Sequence, residues 1–341
     1  MSIPAPVLAF RYERGGIHLP EWGLWLDPHH RVKGSDVAFV SHAHADHTGA
    51  HREVLFSRAT QMLMRVRVSG KRTEHALDFG IPQTWGPGTI TLHPAGHILG
   101  SAMARLESKG QSLLYTGDFK LRQGFASERC EPHPSDILIM ETTFGRPHYV
   151  FPPTAEVIAA LVEFCRRTIS ADEVPLLLGY SLGKTQEILC ALRQTGLRVM
   201  LHGAASTMTG VYAALGRSMP AYAEWDPASA RGHVVIAPPG AAETTLEASV
   251  EKVRKAVLTG WAIDPSCRYQ YQADAAFPLS DHADFPDLLE FVRQVNPCRV
   301  YTLHGFAADF AETLRELGYD ARPLSEPDQL TLPLGRTQSA R

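Results

Sequence analysis

The chain has 341 residues and a formal net charge of −3, and 44% of its residues are hydrophobic. This length predicts two domains, or one large domain with an insertion, and the apolar content excludes disorder along most of the chain. The sequence contains no long apolar run of the kind that spans a membrane, so no transmembrane helix is predicted. The chain starts without a basic segment followed by an apolar one, and we expect no signal peptide.

Histidine is the most informative residue type, because 16 are present and six of them occur beside acidic residues, glycines or predicted strand ends. Five scattered cysteines, with no Cys-x-x-Cys pair, predict neither disulfides nor a thiolate zinc site and favour the reducing cytoplasm. Because the net charge is small, an anionic partner must be held by local basic residues or by metal.

The first 150 residues predict short strands separated by turns. Strand-like runs bounded by Gly, Pro or Asp occupy 36–40, 89–96, 101–108, 112–118 and 136–145. We expect helices within 47–56 and 57–68. Strands and helices mixed in this way, with polar residues at the strand ends, predict an α/β sandwich.

Composition changes near 147–153, and predicted helices and strands then alternate. The elements are a helix over 152–169, a strand over 174–180, a helix over 183–196 and strands over 197–203 and 232–240. This alternation predicts an open α/β unit. From about 277 the pattern changes again, to a helix, a strand and a helix over 284–297, 299–305 and 306–320.

Gly183-Lys184-Thr185 looks like the end of a phosphate-binding loop, but the motif is incomplete. Its first glycine would have to lie at Leu178, and Gly179 is displaced by one residue. Since the Lys-Thr pair also begins a predicted helix, we interpret it as a helix cap in a surface turn.

The strongest chemical signal is the run SHAHADH at 41–47, which directly follows the predicted strand 36–40. Residues two apart in an extended chain face the same way, so His42 and His44 converge on one point. The chain then turns, and Asp46 and His47 point to a second, adjacent point. Imidazole nitrogens and carboxylate oxygens suit zinc, manganese or iron, and without metal such a cluster is costly to bury.

Two later strand ends carry further candidate ligands. His97 follows the strand 89–96, Asp118 ends the strand 112–118, and each comes directly after a glycine, where the backbone can approach closely. Each is weak evidence alone, but together with the run at 41–47 they indicate a metal site. Asp118 is the natural bridge between two cations, because a carboxylate has two oxygens.

In their order along the chain, the HxHxDH run, His97 and Gly117-Asp118 resemble the motifs of the metallo-β-lactamase superfamily. METTFG at 140–145, LSDHAD at 279–284 and LHG at 303–305 resemble three motifs of its β-CASP nuclease branch, and most closely those of the short bacterial ligase-associated DNA exonucleases. The resemblance implies an α/β fold, a metallo-β-lactamase αββα sandwich with an inserted α/β β-CASP cap domain. Residues 1–150 and 277–341 would form the two parts of the metallo-β-lactamase domain, and 151–276 the cap.

The resemblance also implies a site for two divalent metal ions, which would be zinc, with manganese as the alternative. The ligands it implies are His42, His44 and His97 for the first ion, Asp46, His47 and His304 for the second, and Asp118 as the bridge. A water shared by two such ions would attack phosphorus in line.

The catalytic candidates that the resemblance implies are His282, Glu141 and Asp46. His282 would protonate the leaving oxygen and Glu141 would orient it, while Asp27 matches the first motif of the family and would hold a ligand from behind. Simpler interpretations stay open for three of these residues. Asp27 could form an Asp-Pro turn, Glu141 could be a structural carboxylate, and His282 could be a helix-cap neighbour without chemistry.

Nucleic-acid binding has thinner support in the sequence. Basic residues occur in local groups that also suit a solvated surface: Arg65, Arg67, Lys71, Arg72, Lys120, Arg122, Arg166 and Arg167. Phe144 and Tyr180 lie near the expected site loops, and aromatic rings in such places stack on bases.

Together these features predict a cytoplasmic metal-dependent nuclease, a DNA exonuclease of repair or end processing, without membrane association and with a DNA ligase of the same pathway as a candidate partner. The first alternative is a β-CASP ribonuclease that processes RNA, because a histidine at the position of His304 is common in RNA-cleaving members. The second is a small-molecule metallo-hydrolase, which needs neither a cap nor a Glu141–His282 pair. A metal-free binding scaffold is opposed by the complete ligand set.

Overall fold

The computed structural model describes residues 8–241, 246, 249–250 and 252–324. The prediction that the chain starts without a signal peptide concerns residues 1–7, which lie outside the described residues. The first predicted domain segment, 1–150, therefore lacks a description of its first seven residues, and the last one, 277–341, lacks a description of 325–341.

The strands are short and follow one another closely along the chain. Their bounds are β1 Arg11–Glu13, β2 Gly16–Leu19, β3 Leu24–Leu26, β4 Val37–Phe39, β5 Glu53–Ser57, β6 Thr73–Leu77, β7 Gln83–Trp85, β8 Gly88–Pro94, β9 Ala102–Ser108, β10 Gln111–Tyr115, β11 Ile137–Glu141, β12 Val174–Leu178, β13 Val199–Leu201, β14 Ala223–Glu224, β15 Val234–Ala237, β16 Val253–Leu258, β17 Ala275–Phe277, β18 Arg299–Leu303 and β19 Ala321–Pro323.

The helices occur between these strands. Their bounds are α1 Arg58–Arg67, α2 Thr154–Ser170, α3 Lys184–Ala191, α4 Gly203–Ala214, α5 Pro239–Ala241, α6 Cys267–Gln270, α7 Phe285–Val295 and α8 Ala307–Glu316, with 3-10 turns at Pro20–Trp22, Pro227–Ser229 and Gly260–Ile263. Local chemistry sets several ends. In α7, the Asp284 side chain accepts from the Asp287 amide at 3.0 Å, and Asn296 closes the helix at φ 49°.

Two sheets pack face to face and enclose the main core. The first has the order β1-β2-β3-β4-β5-β6 and the second the order β7-β8-β9-β10-β11-β18-β19. Apolar residues from the inner faces meet between the sheets: Ile17, Leu24, Leu26, Phe39 and Leu55 against Ile90, Leu106, Leu113, Tyr115 and Ile139. Helix α1 covers the outer face of the first sheet, and α7 and α8 cover that of the second. The predicted αββα sandwich is therefore confirmed.

A third sheet, inserted between β11 and α7, is parallel throughout and has the order β14-β13-β15-β12-β16-β17. Helices α2 and α3 pack on one face through Val157, Leu161, Ile188 and Leu189. Helix α4 reaches the sandwich, where Met208 and Tyr212 join the cluster around α1. We call this inserted α/β unit the cap.

The helix predicted within 57–68 is confirmed as α1, but the helix predicted within 47–56 is wrong. A loop is followed there by β5, in which Val54, Leu55 and Phe56 are all buried. Leu55 faces the core between the sheets, whereas Val54 and Phe56 face α1. An unbroken apolar run is the pattern of a parallel strand covered on both faces, and it cannot be told from a short buried helix by periodicity.

Candidate metal centre and catalytic site

The candidate site residues lie in loops that follow strand ends at one edge of the sandwich. Strands β8, β10, β11 and β18 run in the same direction, so the loops after them meet. These loops and the one after β4 carry the predicted residues: His42, His44, Asp46 and His47 after β4, His97 after β8, Asp118 after β10, Glu141 at the end of β11 and His304 after β18.

Three imidazoles meet at the first point of this edge. The Nε2 atoms of His42 and His97 lie 3.1 Å and 3.0 Å from Nδ1 of His44. The three donor atoms come from two loops that are more than 50 residues apart in the chain. The structure thus brings together the three residues that the sequence assigned to a first ion.

Outward contacts fix which nitrogens face inward. The Nδ1 of His97 donates to the Asp281 carbonyl at 2.8 Å, and the Nε2 of His44 donates to the Leu182 carbonyl at 3.2 Å. A carbonyl only accepts, so these outer nitrogens carry the protons. Burial lowers the pKa of both rings, which favours their neutral form.

In neutral rings with these tautomers, Nδ1 of His44 and Nε2 of His97 each carry a lone pair and no proton. These two nitrogens lie 3.0 Å apart. Two buried acceptors at that distance repel unless a cation lies between them. Three imidazoles and a nearby carboxylate are also a ligand set that zinc prefers. The residues present therefore fit a divalent metal ion.

Asp118 lies between the first point and a second one. Its Oδ2 is 3.4 Å from Nε2 of His47, 3.6 Å from Nε2 of His42 and 3.9 Å from Nε2 of His97. Burial acts to raise the pKa of Asp118, but His47, His282 and His42 together outweigh it and the pKa is lowered. The carboxylate is therefore charged and contacts residues of both predicted ligand sets.

Asp27 contacts His47, which lies at the second point. Its Oδ2 lies 3.0 Å from Nδ1 of His47 and accepts from the Tyr115 hydroxyl at 2.9 Å, and its Oδ1 accepts from the Ser41 amide at 2.8 Å. Asp27 itself has φ 41°, a left-handed conformation that aspartate tolerates better than most residues. Burial acts to lower the pKa of His47, but Asp118 and Asp27 outweigh it and raise the pKa.

Asp46 and His304 lie farther out than the other candidates. The Asp46 side chain is 74% exposed, and its Oδ2 is 3.8 Å from Nε2 of His47. His304 follows β18 at φ 59°, and its ring centroid lies 6.3 Å from that of His47. Donor atoms of His42, His47 and Asp118 lie within 4.8 Å of one another, and Asp46 and His304 are outside this group.

Glu141, which is buried, pairs with the partly buried His282 beside the candidate metal ligands. Nδ1 of His282 lies 2.8 Å from Oε1 of Glu141, and the rings of His282 and His97 are 4.6 Å apart. The amides of Phe119 and Thr143 donate to Glu141. Burial acts to lower the pKa of His282, but Glu141 outweighs it and raises the pKa to about 9. The pair thus holds a proton beside the candidate metal centre.

The site opens into a cavity of about 650 Å³ between the sandwich and the cap. Tyr180, which is 63% exposed, and Trp261, which is 41% exposed, line it together with Arg67. The proposal that Phe144 stacks on bases is wrong, because Phe144 is 1% exposed and packs 4.7 Å from Trp261. Sequence reasoning missed Trp261, although its place after the apolar strand run at 253–258 was a usable signal.

Two lysines that the sequence suggested were exposed are buried instead. Lys120, from the basic groups, is paired with Glu187 at 2.9 Å. Lys184 begins a helix as predicted, but it is buried and paired with Asp281 at 2.9 Å, so its placement in a surface turn is wrong. Sequence reasoning also missed Asp281, although it is adjacent to His282.

A further group, His93, Glu131 and His133, brings donor atoms within 4.8 Å of one another away from this site. The two rings stack with centroids 3.5 Å apart and planes 29° apart. The lone pair of an imidazole nitrogen lies in the plane of its ring. In two stacked rings these lone pairs therefore point along similar directions and do not meet at one ion. Burial, His133 and Arg105 lower the pKa of His93 to about 3. We assign no ion to this group.

Comparisons with known proteins agree with the geometry. A family model described as "RMMBL: Zn-dependent metallo-hydrolase RNA specificity domain" matches residues 275–322, which include His282 and His304. The chain is 54% identical over 319 residues to a protein of Opitutus terrae named "Probable DNA ligase", covering 93% of this chain and 31% of that protein. It is 26% identical over 289 residues to the chicken protein named "5' exonuclease Apollo", covering 79% of this chain and 59% of that protein. The chain thus spans less than two thirds of either relative.

A solved structure, "Crystal Structure of a Protein of Unknown Function from Enterococcus faecalis V583", superposes with a TM-score of 0.59 at 14% identity and covers 85% of this chain and 79% of that one. This likeness shows the fold. Within the part of the chain that the structure describes, no helix is long and apolar enough to cross a membrane.

Fold and site together define a metallo-β-lactamase-type sandwich whose histidine and aspartate side chains converge at one edge. The fold, the site and these matches are together those of the β-CASP branch of the metallo-β-lactamase superfamily.

Proposed function

We propose that this protein is a metal-dependent nuclease that degrades DNA from a free end in repair or end processing. The observation that carries the proposal is the His282–Glu141 pair, in which Glu141 is buried and His282 partly exposed, beside converging candidate metal ligands at the floor of a cavity walled by the cap. Relatives named "Probable DNA ligase" and "5' exonuclease Apollo" support DNA as the substrate and a ligase as a partner in the same pathway. The proposed domains are 1–150 and 277–341 for the sandwich and 151–276 for the cap.

The proposed ligand sets are those that the sequence suggested. His42, His44 and His97 would hold a first zinc ion, Asp46, His47 and His304 a second one, and Asp118 would lie between them. When bound, such ions lower the pKa of water and offset phosphate charge. Small movements of the exposed Asp46 and of His304 would complete the second set.

His282 is the proposed general acid. Because its Nδ1 contacts Glu141, Nε2 is the nitrogen that remains to give its proton to the leaving oxygen. Glu141 is itself held by the Phe119 and Thr143 amides, so it fixes the tautomer and orientation of the ring. Tyr180 and Trp261 of the cap line the cavity into which His282 faces.

The cavity suits a single strand better than a duplex. Its walls offer ring faces at Tyr180 and Trp261 and a cation at Arg67. Aromatic rings stack on any base, and phosphate contacts carry no sequence information, so we expect binding that weakens with salt and depends little on sequence.

The test compares a labelled linear DNA strand with the same strand circularised, at equal concentration and with zinc or manganese. We expect stepwise loss of nucleotides from the linear strand and an intact circle. Equal degradation of the circle would contradict an exonuclease.

RNA is the second candidate substrate, and the match at 275–322 to a family described as an RNA specificity domain favours it. RNA of the same sequence belongs in the same assay. Efficient digestion of RNA beside untouched DNA would establish the ribonuclease alternative and remove the DNA proposal.

A further inference from the structure

The cap contributes a segment to the candidate metal centre itself. The Leu182 carbonyl accepts a hydrogen bond from Nε2 of His44 at 3.2 Å, and the next residue, Gly183, has φ 87°. A Cβ atom on Gly183 would lie 2.3 Å from Ile98 Cγ2, so only glycine allows this approach. Helix α3 begins at the next residue, Lys184.

Lys184 reaches from this helix into the loop that precedes α7. Its Nζ donates to the Leu279 carbonyl at 2.5 Å and lies 2.9 Å from Oδ1 of Asp281. Lys184 is 4% exposed and Asp281 8%, so both charges are removed from bulk water. The main-chain carbonyl of the same Asp281 accepts a hydrogen bond from Nδ1 of His97 at 2.8 Å. A single ammonium group therefore holds the backbone that orients a proposed ligand.

A second ion pair joins the cap to the sandwich, but here the sandwich supplies the lysine and the cap supplies the carboxylate. Lys120 of the sandwich lies 2.9 Å from Glu187 of α3, and Glu187 also accepts from the amides of Phe125 and Ala126. Two buried cations and two buried anions thus balance one another across the boundary.

We propose that Lys184 is a positioning residue for the metal centre, which orients His97 and the loop carrying His282 by binding Leu279 and Asp281 from the cap. The inference rests on the ligand set of the proposed function. Without the ammonium group, Asp281 would be a buried charge with a weakened pairing, and the 279–282 loop would reorganise to hydrate it. His97 would then lose its fixed carbonyl acceptor. Losing a group that orients a metal ligand weakens metal binding by about 10–100-fold.

The experiment measures zinc affinity of the full chain without nucleic acid, by competition with a chromophoric chelator. The variants are Lys184→Met, Lys184→Arg and, as a matched control, Lys252→Met at an exposed lysine of the cap. We expect Lys184→Met to bind its most tightly held ion about 10–100-fold more weakly, Lys184→Arg to recover part of that loss, and Lys252→Met to match the wild type. The cobalt-substituted Lys184→Met protein should also show a changed visible spectrum.

Loss of a buried partner also destabilises the fold, so thermal unfolding of the metal-free proteins accompanies each titration. The double variant Lys184→Met/Asp281→Asn removes both charges and with them the need to hydrate Asp281, so we expect it to recover stability and part of the zinc affinity that Lys184→Met loses. Wild-type zinc affinity in a folded Lys184→Met protein would overturn the role of Lys184 alone. A wild-type protein that binds no zinc, cobalt or manganese would overturn the ligand set of the proposed function as well.

Discussion

Nδ1 of His282 lies 2.8 Å from Oε1 of Glu141, although the two residues are 141 positions apart in the chain. Glu141 ends a central strand and is 1% exposed, whereas His282 comes from the loop before α7. The carboxylate stabilises the protonated imidazole and raises its pKa to about 9. This relationship turns a histidine near metal ligands into a candidate proton donor.

Glu141→Gln should lower the pH at which cleavage is lost. A general acid works in its protonated form, so activity is present below the raised pKa of His282 and is lost as pH rises through it. Removing the carboxylate charge lowers that pKa, and we expect the alkaline limb of kcat/KM to move down by about 1–3 pH units. A pH–rate profile measures it, with Glu290→Gln on the exposed side of α7 as the control. An unmoved limb would exclude the proposed role of Glu141.

Asp118→Ala should remove both metal and activity. The Asp118 carboxylate is the group nearest to both histidine sets, so its loss disrupts the two proposed ion positions together. We expect fewer bound ions per chain by elemental analysis and cleavage at about 1% of wild type or less. Asp78→Ala, at an exposed aspartate paired with Arg58, is the control. Normal metal content with near-normal cleavage would contradict a two-ion site.

His282→Ala should separate chemistry from metal binding. Since His282 contacts Glu141 and is not among the proposed ligands, we expect normal metal content and cleavage slowed by about 10²–10⁴-fold. His42→Ala, measured beside it, should lose metal. If His282→Ala loses as much metal as His42→Ala, then His282 is a ligand and the general acid must be another group.

Tyr180→Ala should weaken the binding of single-stranded nucleic acid. The ring is exposed on the cavity wall, and a stacked base contributes about 1–3 kcal/mol, which is roughly 5–150-fold in affinity. Fluorescence anisotropy with a labelled strand measures this effect. Tyr269→Ala, an exposed tyrosine that does not line the cavity, is the matched control. Equal losses for the two variants would show that the cavity is not the binding surface.

The part of the site that the sequence revealed most clearly is local. The run SHAHADH places four potential ligands within six residues after one strand, and alternation in an extended chain is enough to direct His42 and His44 to one point. His97 and Asp118 were recognisable because each follows a glycine at a strand end. Glu141, His282 and His304 became candidates only through the family resemblance, since nothing in their local sequence relates them.

The burial of charged and aromatic residues was predicted less well. Lys120 and Lys184 read as surface residues, and Phe144 as a ring available to a base, because neighbouring residues along the chain do not show what packs against a side chain. In the structure the lysines are enclosed where α3 meets the sandwich, and Phe144 is covered by Tyr149, Phe151 and Trp261.

The sequence by itself predicted an α/β sandwich followed by an open α/β unit, and the ligand chemistry, because hydrophobic periodicity and closely spaced histidines are properties of short segments. The αββα arrangement with its inserted cap was implied by the family resemblance. Only the tertiary structure decided which nitrogens face inward, since the acceptors of His44 and His97 are carbonyls 138 and 184 residues away. It also decided that Lys184 of the cap contacts Leu279 and Asp281 in the loop that carries His282. Pairing of buried charges depends on which surfaces exclude water together, and that is settled only when the cap and the sandwich pack.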